Sequence, residues 1–90
     1  MPRYFFHVHD GHDQPDLTGT LLDGLDEART EAVRYAAELL RESATQFWAD
    51  EEWTMTVTDD RQLTLFSLTI IGNSAPSTAQ HPQPMPPIPA

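Results

Sequence analysis

The stretch that decides how this chain is read is Met1-Pro2-Arg3-Tyr4-Phe5-Phe6-His7-Val8-His9-Asp10. Over residues 3–10 the side chains alternate, with Tyr4, Phe6 and Val8 on one face and Phe5, His7 and His9 on the other. Aromatic and β-branched residues at a period of two predict a strand. Gly11 to Asp16 is turn chemistry, supplied by Gly, Asp and Pro. Residues 17–22, Leu-Thr-Gly-Thr-Leu-Leu, predict a short second strand returning along the first, weakened or bulged at Gly19.

Downstream, Leu25, Ala28, Ala32, Tyr35 or Ala36, Leu39, Ser43 and Phe47 recur at three and four. That spacing describes one helix with a buried stripe, capped by Asp26 or by the earlier Asp23. Trp53, Met55 and Val57 then alternate with Thr54, Thr56 and Thr58, a half-buried strand. Asp59-Asp60-Arg61-Gln62 has hairpin length and leads into Leu63–Ile71. That last run is apolar on both sides, as suits an interior strand or one covered on both faces. The expected architecture is α+β, in the order β-β-α-β-β, with one helix packed on a mostly antiparallel four-stranded sheet over residues 1–72. From residue 73 the prolines at 76, 82, 84, 86, 87 and 89 predict a disordered tail over 73–90.

The chain has ninety residues, enough for one domain of limited core. A domain this small buries only about 60% of the surface of its unfolded chain. Such domains gain stability from disulfides, a metal or a partner subunit. Cysteine is absent, which removes disulfides and thiolate ligands. A second copy is one way to cover the sheet face that a single helix leaves open.

Fourteen Asp and Glu stand against five Arg, for a formal net charge of −9. Phosphate backbones and anionic membranes are bound by cationic side chains, so both are disfavoured as partners. A basic protein or a divalent cation suits this field better. No apolar run approaches the roughly 18 residues of a membrane span, and no signal-peptide pattern is visible. The expectation is a cytoplasmic protein.

His7, His9, Asp10 and His12, with Asp13 and Asp16 nearby, form the densest set of ligand-type side chains. Two imidazoles at i and i+2 of a strand project to one side, and a turn residue is able to curl back as a third ligand. The array is superficially similar to the His-x-His-x-Asp-His motif of metallo-β-lactamase-like hydrolases, with Gly11 at the Asp position. The simpler reading is histidines on a solvated face and acids in a turn. No general-base motif, Gly-x-Ser-x-Gly elbow or glycine-rich phosphate loop accompanies the cluster. Trp48 and Trp53 bracket Ala49-Asp50-Glu51-Glu52; beside an acidic loop, aromatics suit a cationic peptide, although both are expected to close the core edge. Pro84-Met85-Pro86-Pro87 satisfies P-x-x-P but lacks a flanking Arg or Lys.

The opening Pro2-Arg3-Tyr4-Phe5-Phe6-His7 resembles a family of short bacterial proteins known as a domain of unknown function. Further matches are Asp10-Gly11, Asp16 with Gly19, Leu22-Asp23, Ala28-Arg29 with Glu31-Ala32, and Glu52-Trp53 leading to Val57-Thr58-Asp59. The resemblance spans residues 2 to about 71 and implies a small α+β domain, cytoplasmic, with no established activity. His9 and His12 lie outside its pattern. A looser similarity, carried by Pro15-Asp16-Leu17-Thr18-Gly19 and Asp26-Glu27-Ala28, is to antitoxin partners of toxin–antitoxin pairs.

Together these readings favour a non-enzymatic interaction domain without a cofactor, homo-oligomeric or bound to a basic partner. The alternatives are a metal-binding protein using His7, His9, Asp10 and His12, and an antitoxin-like neutraliser of a basic protein.

Overall fold

A computed structural model describes residues 1–76 of the chain. Its elements are β1 (Arg3–His9), β2 (Asp13–Gln14), β3 (Thr20–Leu21), α1 (Leu25–Glu42), α2 (Ala44–Asp50), β4 (Glu52–Thr58) and β5 (Thr64–Ile71). The sheet runs β2-β1-β4-β5, with β3 on the same side of β1 as β2, and every pairing is antiparallel. The domain is α+β as expected, but among the described residues it has five strands and the two helices α1 and α2 rather than four and one. From residue 77 onward the expected tail lies outside the described residues. Among the described residues no helix is long and apolar enough to cross a membrane.

Two differences have local causes. The segment after Gly11 has turn composition, yet Asp13 and Gln14 pair with His9 and Val8. A two-residue strand needs backbone register, which composition does not report. The single expected helix is broken at Ser43 (φ −107°, ψ 23°). Its hydroxyl and its amide both donate to the Leu39 carbonyl, at 2.8 and 3.1 Å, while its own carbonyl accepts from Gln46 and Phe47 to start α2. A serine that bonds back to i−4 competes with the helix ladder and bends it. At the other end α1 starts at Leu25 with Gly24 as cap. Neither Asp23 nor Asp26 caps it by side chain; instead Glu27 reaches back to accept from the Asp23 amide at 2.8 Å.

Register places Phe6 opposite Val57, and Val8 opposite Met55, on β1 and β4. On β4 and β5 it places Val57 opposite Phe66, Met55 opposite Leu68, and Trp53 opposite Ile70. Tyr4, Phe6, Val8, Trp53, Met55 and Val57 are buried under α1, which contributes Ala28, Ala32 and Ala36. Each large apolar side chain so buried stabilises the fold by about 1.5–3 kcal/mol relative to exposure. The helix stripe is alanine alone where contact is closest, which lets the α1 backbone sit low over aromatic rings. Ala32→Leu is expected to lower unfolding free energy by about 1–3 kcal/mol, because the three added carbons meet a filled core. A chemical-denaturation midpoint no lower than wild type would show that α1 rides higher than described.

The opposite sheet face is solvated. Thr54, Thr56, Ser67 and Thr69 lie on it with Phe5, His7 and His9. Only one end is tightly organised, where Thr58 is 7% exposed.

Candidate functional site

The N-terminal cluster resolves into three arrangements. The first is built at the outer edge of β1, where β3 covers Arg3 and Tyr4 and β2 covers Val8 and His9. Between them Asp16 takes the place of a strand. One carboxylate oxygen accepts from the Phe6 amide at 3.1 Å, and the other accepts from Thr18 and Gly19 at 3.0 Å each. The Asp16 amide donates to His7 Nδ1 at 3.1 Å. That bond fixes the proton of the neutral ring on Nε2, which donates to the Thr58 hydroxyl at 3.0 Å. Gly19 is required here: its φ is +76°, and a Cβ would press within 2.7 Å of the Arg3 side chain and 2.9 Å of Phe5. Burial of the Asp16 carboxyl raises its pKa, but the hydrogen bonds from the Gly19, Phe6 and Thr18 amides together outweigh that and hold it below the ordinary aspartate value.

In the second arrangement His9 Nδ1 donates to Asp13 at 2.6 Å, both side chains being largely exposed. His7 and His9 thus share the solvated face but turn their rings to different partners. The shallow groove they line is about 610 Å³ and is bordered by Thr54, Thr56 and Pro15. In the third, Asp10 and His12 leave the sheet and meet α2. There they line a cavity of about 260 Å³ with Ser43, Gln46, Asp50 and Glu52. Asp10 also accepts from the Gln14 side chain at 3.1 Å. Gly11, at φ +98°, brings the turn so close to α2 that a Cβ there would run into the Asp50 carboxylate.

The four candidate metal ligands are therefore divided. Among the described residues no group of three or more His, Asp or Glu is placed to hold a metal ion. Sequence reasoning missed Ser43, Gln46 and Asp50 as neighbours of Asp10 and His12. The acidic run 50–52 was visible, but nothing local ties it to a turn some forty residues earlier. The two tryptophans also separate. Trp53 is 2% exposed and closes the core as expected, whereas Trp48 is 56% exposed, edge-on to Phe47 with ring centroids 5.5 Å apart.

Fold and site together define a small antiparallel α+β domain whose polar clusters hold loops in place and whose helix-turn end carries an acidic cavity. The sequence matches the family described as Domain of unknown function (DUF6894) over residues 3–72, and the chain belongs to that family. No curated protein and no solved structure matches it.

Proposed function

We propose that this is a non-enzymatic interaction domain that receives a basic protein segment at the cavity between the Asp10–His12 turn and α2. The observation that carries this reading is the make-up of that cavity. Asp10, Asp50 and Glu52 line it, and none of the five arginines does. At about 260 Å³ it is smaller than the 300–1,000 Å³ typical of small-molecule sites. A guanidinium or ammonium side chain fits that space and charge. Phe47 lines the cavity as well and supplies an aromatic wall beside the carboxylates.

The reading accords with the net charge of −9, since complementary fields speed association and exclude acidic partners. The metal alternative has less support, because both ring nitrogens of His7 are hydrogen-bonded within the fold. The antitoxin-like alternative shares the same chemistry of a basic partner and differs only in the partner's identity.

The test is calorimetric titration of the full chain with an arginine–glycine repeat peptide at low and moderate salt. Binding is expected to weaken with salt and to weaken roughly tenfold or more in Asp10→Asn/Asp50→Asn, at two charged contacts of about 1 kcal/mol or more each. An undiminished affinity in that variant, or no binding to the wild-type chain at low salt, would sink the proposal.

A further inference from the structure

The two edges of the sheet are built differently. The β1 edge is interrupted: two short strands, the Asp16 carboxylate and the polar ends Arg3 and His9 leave little backbone to template another chain. The β5 edge is the reverse. Thr64-Leu65-Phe66-Ser67-Leu68-Thr69-Ile70-Ile71 is eight residues long, without a charge or a proline, and among the described residues no strand lies on its outer side. Natural sheets guard free edges with lysines, prolines, bulges or brevity. β5 has one irregularity, at its start, where Thr58 pairs with Thr64 and Val57 with Phe66. Phe66, Leu68 and Ile70 face the helix layer yet stay only partly buried, and Leu65 and Ile71 are exposed. The apolar content on both sides that suggests an interior strand thus occurs on an edge strand.

We infer that β5 is interior in solution because it pairs antiparallel with β5 of a second copy, in the register centred on Leu68. The strand is self-complementary about that residue. With Leu68 opposite Leu68 of the second copy, Phe66 meets Ile70 and Ser67 meets Thr69, each twice by symmetry. The outermost pair, Leu65 with Ile71, is apolar too. An isologous two-fold interface requires a surface patch that complements itself, and this register supplies it residue by residue. Helix-side positions pair apolar with apolar, and on the open face Ser67–Thr69 pairs hydroxyl with hydroxyl while Leu65–Ile71 pairs apolar with apolar. The two helix layers lie on the same side of one continuous ten-stranded sheet, so the half-buried Phe66, Leu68 and Ile70 become central. The chain's own segment 77–90 is a poorer occupant. Strand addition uses every second N–H, and prolines at 82, 84 and 86 and at 87 and 89 interrupt both phases.

The test uses the full chain, native mass spectrometry, sedimentation, and two variants at exposed open-face positions. Wild type is expected to be a dimer. Ser67→Lys/Thr69→Lys sets like charges opposite each other twice and is expected to weaken the dimer roughly tenfold or more while keeping the wild-type circular dichroism. Ser67→Lys/Thr69→Glu sets opposite charges across the same two pairs and is expected to remain dimeric. It also shows that loss in the first variant is not loss of folding. A monomeric wild type overturns the inference. So does a dimer that survives the double lysine, which would place the contact elsewhere, or loss of the dimer in both variants, which would exclude this register.

Discussion

Trp53→Ala is expected to remove about 3–5 kcal/mol, most of the stability of the fold, while Trp48→Ala leaves stability within about 0.5 kcal/mol of wild type. Trp53 is 2% exposed, opposite Ile70 and adjacent to Met55 and Val57, which are fully buried. Removing such a side chain costs about 3–5 kcal/mol, the lost transfer free energy plus the cavity that remains. The whole stability of a small domain lies near the lower end of about 5–15 kcal/mol, so the loss is comparable with the total. Trp48 is 56% exposed, its ring lying at the surface over Gly72 and edge-on to Phe47, so its truncation opens no enclosed cavity. Urea denaturation followed by circular dichroism gives both numbers. Acrylamide quenching adds an independent check, since the Trp48→Ala chain should retain only the protected fluorophore. Equal destabilisation by the two substitutions would contradict the assignment of Trp53 to the core and Trp48 to the surface.

These two residues also mark how far a sequence can be read. Trp53 belongs to an alternating run, and the period of two alone assigns it to the face it shares with Met55 and Val57. Trp48 belongs to the helical pattern through Phe47, and its exposure depends on the break at Ser43, which redirects α2. The break is a competition between two hydrogen-bonding schemes for the Leu39 carbonyl, and the spacing of apolar residues carries no trace of it. The same limit explains β2. Its pairing with β1 depends on the return path of the chain after Gly11, whereas the β4–β5 hairpin announces itself by alternation and by Asp59. That aspartate accepts from Arg61 and Leu63 at 2.8 and 3.0 Å to close the turn. The candidate site divides along the same line. The residues that cluster in sequence, His7 to Asp13, are dispersed by strand alternation and by the turn, while the cavity joins residues from 10 to 12 with others from 43 to 53. The apolar character of β5 on both sides was legible, and the strand order turns it from a sign of interior position into a sign of an unfilled edge.

Asp16 offers the second large effect, and its pH dependence separates the network from ordinary acid titration. Asp16→Ala removes the acceptor for three amides, one of which, on Phe6, sits in the gap of the β1 edge. Hydrogen bonds to a charged group contribute about 1.5–3 kcal/mol, and the Thr18 donor is exposed and regains water. A loss of roughly 2–4 kcal/mol is therefore expected. Asp16→Asn keeps the shape and one acceptor oxygen. With that oxygen toward Thr18 and Gly19, its NH₂ faces the Phe6 amide, donor against donor, so an intermediate loss is expected. The folded-state pKa of Asp16 lies below its ordinary value of 3.8, because the three amide hydrogen bonds outweigh the effect of burial. A depressed carboxyl contributes stability that is complete above the unfolded value and is lost as pH falls through the folded one. The wild-type advantage over Asp16→Asn should accordingly be constant at neutral pH and shrink as pH falls below about 4. Other carboxylates titrate alike in both chains and cancel in the difference. Two denaturation curves that stay parallel down to acid unfolding would mean that the Asp16 carboxylate does not hold the β1 edge, and that β2 and β3 pair there without it.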